Sequence, residues 1–170
     1  MSRAFVNEND TEAAADALPE LPQSKHPNYV TRRGLRLLEE RLAQAQERQR
    51  ALTERPDDPA KDLELAHGAR EIRYLEARIE RAIMVDPAQA PEDEVAFGAV
   101  VDVSDADGER HEFAIVGEDE ADAEHGKVSW VSPLARALIG AGVGDVVVWR
   151  RPAGALKLEI HAIRYPERTS

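Results

Sequence analysis

The sequence predicts an α+β chain: an antiparallel α-helical coiled-coil hairpin, then a small antiparallel β-sheet domain with one short helix. Three observations predict it. Apolar residues recur at steps of three and four from Thr31 to about Met84, with one break at Arg55-Pro56-Asp57-Asp58-Pro59. From Val95 the apolar period drops to two. The stretch between, Pro87 to Glu94, is rich in proline and acids and follows neither period, which marks a boundary.

The first helical run carries Leu35, Leu38, Leu42, Ala45 and Leu52, with Gln49 in the one polar slot. The second carries Leu65, Gly68, Ile72, Leu75, Ile79 and Ala82. These are the a and d positions of helices that pack along their length. A break of a few residues leaves room only for a reversal, so the arms form a hairpin. Thr31 is an N-cap for the first arm, and Asp58 followed by Pro59 fits the N-cap and first position of the second. Asp58 therefore has two readings, a structural cap or a working carboxylate. Asp57 precedes the cap and points outward, while Asp62 and Glu64 sit in first turns that favour acids anyway.

Beyond the boundary, Val95, Phe97, Ala99, Val101 and Val103 alternate with other residues up to the turn Asp105-Ala106-Asp107-Gly108. Glu109 to Val116 returns with Phe113 and Ile115 on one face, completing a β-hairpin. Val128 and Trp130 indicate a third strand. Ser132-Pro133 opens a short helix, Leu134 to Ile139, that Gly140 ends. Asp145 to Arg150 and Leu156 to Tyr165 are the last strands, joined at Pro152-Ala153-Gly154. The expected organisation is thus a flexible acidic tail over 1–30, a hairpin over 31–86, a linker over 87–94, a sheet domain over 95–166 and a tail over 167–170. Asn28-Tyr29-Val30 could dock the first tail where the hairpin begins.

Composition narrows the function. The chain of 170 residues has no cysteine, which excludes disulfides and thiolate metal sites. The five histidines are scattered without ligand spacing, and no glycine-rich phosphate loop or nucleophile constellation is present. No apolar run reaches membrane-spanning length and the first residues lack a signal-peptide core, so a cytoplasmic protein is expected, and it is read as a monomer. The net charge of −11 argues against wrapping duplex DNA. That charge is unevenly spread: residues 1–30 carry −3, residues 31–84 carry +1 and residues 85–170 carry −9. The hairpin is the part that does not repel phosphates. Its arginines, Arg70 and Arg73 among them, either solvate the helix and pair with acids at helical spacing or face an anionic partner.

Together these pieces resemble a known family. A coiled-coil hairpin with an acidic tip precedes a domain containing Ser132-Pro133-Leu134-Ala135-Arg136-Ala137-Leu138-Ile139-Gly140 and Val143-Gly144-Asp145. Phe97-Gly98-Ala99, Ile115-Val116-Gly117-Glu118-Asp119-Glu120-Ala121-Asp122 and Pro152-Ala153-Gly154 match as well. Over residues 28–166 the chain resembles the bacterial Gre family of transcript-cleavage factors.

The resemblance implies an FKBP-like sheet domain that docks on RNA polymerase at the rim of the secondary channel, with Ser132, Pro133, Leu134 and Ala135 in the docking loop. It implies a hairpin that enters the channel and a tip, Asp57, Asp58 and Asp62, that serves catalysis. Asp58 and Asp62 would help hold an Mg²⁺ shared with the polymerase, the chain having no cofactor of its own. Arg70 and Arg73 would approach the nascent RNA 3′ end. The protein would then be no enzyme itself but an accessory factor for cleavage of backtracked RNA by the polymerase.

Two departures define an alternative. The family's tip has an Asp, two residues and a Glu. Here those acids fall on Asp58 and Lys61 or on Pro59 and Asp62, so one acid is kept. Both arms also look about one heptad short, roughly 10 Å of reach. A non-catalytic regulator that occupies the same channel and antagonises cleavage factors or nucleotide entry fits those departures. A prolyl isomerase does not fit, because this domain is poor in the aromatic residues such a pocket needs.

Overall fold

The computed structural model describes residues 18–169. They fall into two units: residues 18–25 with 38–81, and residues 26–37 with 82–169. Residues 1–17 of the expected tail lie outside the described residues.

The hairpin unit holds most of α1 (Arg32–Glu54) and all of α2 (Pro59–Glu80). Leu38, Ala45 and Leu75 are buried, and Leu42, Gln49, Leu52, Leu65, Gly68, Ile72 and Ile79 are half-buried, as the seam predicts; Ala66, outside the predicted positions, is buried as well. The polar slot has a specific partner. Gln49 Nε2 donates to the Leu65 carbonyl at 2.9 Å, and a Cβ at Gly68 would lie 2.1 Å from Gln49 Oε1. Gly68 is the gap through which the amide reaches the opposite backbone.

The second arm is shorter than expected. Helix α2 stops at Glu80, and Ala82–Met84, which sequence periodicity assigned to the helix, forms strand β2. It pairs in parallel with β1 (Asn28–Val30), Asn28 opposite Ala82 and Val30 opposite Met84. The Val85 N–H extends the pairing to the Val30 carbonyl at 3.1 Å. Backbone hydrogen bonds to a distant partner thus override the helical period at Ala82. Residues 28–30 are accordingly a strand and not part of a flexible tail.

The sheet unit carries β3 (Val100–Ser104), β4 (Arg110–Val116), β5 (Lys127–Ser129), β6 (Val146–Arg151) and β7 (Gly154–Arg164) in the order β5-β4-β3-β7-β6. Neighbours are antiparallel except β4 and β5, which run parallel, so the sheet is mixed at that edge. Strand β3 begins five residues later than alternation suggested. Gly98 has φ +86, and the Ala99 N–H closes a turn onto the Ala96 carbonyl, so the extended backbone starts only at Val100. Val95 and Ala99 are still fully buried, which explains why their alternation reads as strand.

Short helix α3 (Pro133–Leu138) lies on the sheet core. Its Ser132 cap accepts from the Ala135 N–H at 3.2 Å, and Gly140 leaves it at φ +87. The core joins Val101, Val103, Ile115, Leu158 and Ile160 of the sheet to Leu134, Ala135 and Leu138 of the helix. Tyr165 seals its edge, donating its hydroxyl to the Glu94 carbonyl at 2.6 Å and accepting from the Ala96 N–H at 3.0 Å.

The start of α1 is fixed from within the sheet unit. Thr31 Oγ1 accepts from the Gly34 N–H at 2.9 Å and donates to buried Glu120 at 2.6 Å. Glu167 accepts from the Arg32 and Arg33 N–H groups at 3.1 and 3.2 Å, a carboxylate at a helix N-terminus. The segment expected as a terminal tail, 167–170, therefore begins within a 3₁₀ turn, Pro166–Thr169.

A Cβ at Gly117 would stand 2.4 Å from the Tyr29 carbonyl oxygen, a backbone atom of β1 that cannot rotate away. Gly117→Ala is expected to destabilise the sheet unit by about 1–3 kcal/mol, the usual scale for overpacking. Denaturant unfolding checks the loss, and faster protease cleavage near Tyr29 checks that β1 is the part displaced.

Candidate functional site at the hairpin tip

The tip is built by two cations as much as by its acids. Asp58 is the N-cap of α2, with extended backbone (φ −150, ψ 156) and Oδ1 accepting from the Lys61 N–H at 2.9 Å. Its Oδ2 accepts from Arg55 Nη2 at 3.2 Å, and Arg55 Nη1 reaches Glu64 at 3.0 Å. The Lys61 N–H first, and then the Arg55 guanidinium, hold the Asp58 carboxyl below its ordinary pKa. Asp58 in turn is the main reason that Arg55 is held above its own. The capping reading of Asp58 is thus the one the geometry supplies.

Lys61 is the residue that sequence reasoning missed. It is buried, and its Nζ donates to the Arg55 carbonyl at 2.6 Å, to Asp57 Oδ1 at 2.9 Å and to the Thr53 carbonyl at 3.2 Å. It closes the end of α1 by satisfying carbonyls that a helix C-terminus leaves open. A signal was present: a lysine in the first turn of a helix sits against the dipole and needs local acceptors.

Asp57 shares Oδ1 with that ammonium while its side chain is 99% exposed, the most outward acid of the tip. Asp62 is exposed in the first turn of α2. The three acids are close in sequence but do not converge on one point. Among the described residues the ligand atoms that do converge, all within 4.8 Å of one another, belong to Asp105, Glu109 and His111 of the β3–β4 turn. There Asp105 is engaged in accepting the Asp107 and Glu109 N–H groups. At the tip itself Asp58 has given its oxygens to the cap and to Arg55, and Asp57 Oδ1 faces an ammonium.

Arg70 and Arg73 lie three residues apart on one face of α2. Arg73 donates to Glu20 through Nε at 3.1 Å and Nη2 at 2.6 Å. Arg70 donates to the Pro19 carbonyl at 3.2 Å and meets His67 Nδ1 at 3.1 Å. In the sheet unit, Ser132 is occupied as a helix cap, and Leu134 and Ala135 are core residues, 4% and 0% exposed. Of the expected docking loop only Pro133 is exposed, beside exposed Arg136 and Ile139. Leu134 and Ala135 shape that surface from beneath and offer little of it themselves. The tip and the docking loop lie in different units.

Residues 90–165 match a family model described as transcription elongation factor GreA/GreB, C-terminal. Across a longer span the chain is 35% identical over 153 residues to the transcription elongation factor GreA of Ralstonia nicotianae, covering 80% of this chain and 96% of that relative. The chain belongs to the GreA/GreB family. Other Gre relatives match chiefly through part of their length. The GreB of Neisseria meningitidis serogroup A is 45% identical over 97 residues, 56% of this chain and 60% of its own length. A solved structure of GreA factor homolog 1 from Thermus thermophilus is 27% identical, covering 82% of this chain and 99% of that one, with a TM-score of 0.40. Among the described residues of this Gre-family chain, no helix is long and apolar enough to cross a membrane.

Asp58→Ala should lower the melting temperature of the helical unit at neutral pH, with Asp58→Asn retaining part of the cap. Because the folded-state pKa of Asp58 is lowered, its stabilisation is complete above the ordinary aspartate range and disappears as pH falls through the lowered value. Thermal melts of wild type and Asp58→Ala are expected to differ at pH 7 and to draw together as pH falls through that lowered value.

Proposed function

We propose that this Gre-family chain binds RNA polymerase through its sheet unit, presents the hairpin tip in the secondary channel and stimulates cleavage of the RNA 3′ end in backtracked complexes. Family membership supports the partner. The observation that carries the activity is Asp57, a carboxylate almost wholly exposed at the turn between helices of 23 and 22 residues. The chain contributes negative charge and position, while the bond-breaking chemistry and its Mg²⁺ belong to the polymerase. Ser132 and Pro133, with Arg136 and Ile139 beside them, supply the docking surface, and Arg70 and Arg73 face the RNA.

A second reading has its own observation. Lys61 places an ammonium 2.9 Å from Asp57, and Arg55 neutralises Asp58. A tip whose acids are already paired suits a regulator that occupies the channel without promoting cleavage.

The test is a stalled, backtracked elongation complex with end-labelled RNA and Mg²⁺. Short 3′ fragments are expected to appear faster with this protein than with polymerase alone. Asp57→Asn should reduce that acceleration on the order of tenfold or more while the protein still co-migrates with polymerase. Co-migration without acceleration selects the regulatory reading, and no co-migration overturns the proposal.

A further inference from the structure

We propose that residues 19–23 are an intrachain stopper: they occupy the Arg70 and Arg73 face of α2 and must leave before single-stranded RNA binds there. The inference rests on the reading of Arg70 and Arg73 as the RNA-facing pair, and adds what regulates that face. The observations lie wholly within the hairpin unit.

Three successive contacts join the segment to α2. The Pro19 carbonyl takes Arg70 Nη1, one Glu20 oxygen takes both Nε and Nη2 of Arg73, and Gln23 Nε2 reaches the Tyr74 carbonyl at 3.4 Å. Positions 70, 73 and 74 share one helix face, so the segment lies along a stripe of that face. Leu18 and Leu21 are half-buried. The segment is therefore seated and does not touch at a single point.

What it covers is an anion site. A guanidinium that gives two N–H groups to a carboxylate would give the same fork to a phosphate oxygen. The Glu20 carboxyl is held below its ordinary pKa chiefly by Arg73, with a smaller contribution from Arg70, so it meets this face as an anion. Arg70 Nε is buried with no hydrogen-bond partner among the described residues. The segment thus satisfies the face incompletely, and a strand bearing a phosphate at each step offers Arg70 the acceptor that Pro19 does not. The side chains of the Arg73–Glu20 pair are 51% and 61% exposed, so the contact is weak enough to be displaced.

The test uses the full chain and no polymerase, so its outcome is separate from that of the cleavage assay. Fluorescence anisotropy with a labelled ten-nucleotide oligouridylate at low ionic strength compares wild type with Glu20→Gln. Glu20 is exposed, and its replacement leaves the helical seam untouched. The variant is expected to bind about two- to fivefold more tightly, with the gap closing as salt is raised. Arg70→Ala with Arg73→Ala in the Glu20→Gln chain should remove the gain. Equal or weaker binding by Glu20→Gln, or no binding by either protein, overturns the proposal. A gain seen only with duplex DNA overturns the single-strand assignment. A gain on RNA with no effect on transcript cleavage leaves the stopper standing and counts against the cleavage reading.

Discussion

The buried ammonium of Lys61 is the interaction on which the tip depends. Two helices reversing over a few residues leave one set of carbonyls and one set of N–H groups facing the same small turn. Asp58 answers the N–H groups of α2, and Lys61 answers the Thr53 carbonyl of α1 and the Arg55 carbonyl just past its end. Asp58 closes the start of its own helix, and Lys61 reaches across to the end of the other. Asp57 is a by-product of that solution: it completes the acceptors around the ammonium and, in doing so, is held outward at the apex.

This arrangement links structure to function through charge. An acidic tip read as bare carboxylates suggests a place for a metal ion. With Arg55 and Lys61 included, Asp57 and Asp58 are each paired with a cation, while Asp62 stays exposed beside them. Asp58 is committed to holding the loop, and Asp57 is almost wholly exposed. Along α2 the pattern repeats, because the two arginines that look like a free basic patch are already engaged by Pro19 and Glu20.

Much of the architecture was legible in the sequence because it is periodic or local. The seam from Leu38 to Ile79 follows from heptad spacing, and Asp58, Ser132 and Thr31 follow from cap chemistry that needs only the next three residues. What was not legible depends on partners far along the chain. The parallel pairing of Asn28–Val30 with Ala82–Met84 involves three-residue strands, too short to carry a period. The burial of Leu134 and Ala135 is set by sheet strands on which α3 packs, and the contacts of residues 19–23 cross more than fifty positions. Lys61 was visible but misread: a lysine in an acidic turn looks like a lost carboxylate until its carbonyl acceptors are seen.

The gap at Gly68 has a further consequence. Coiled-coil arms with leucine at most seam positions can slide by a heptad and still bury apolar surface. Here the Gln49 amide crosses to the Leu65 carbonyl only because position 68 carries no side chain. Moving α2 by seven residues in either direction would set that amide against Lys61 or Leu75, closing the path to the backbone. One glycine and one glutamine thus favour this register over its neighbours, and with it one axial position for the apex of the hairpin.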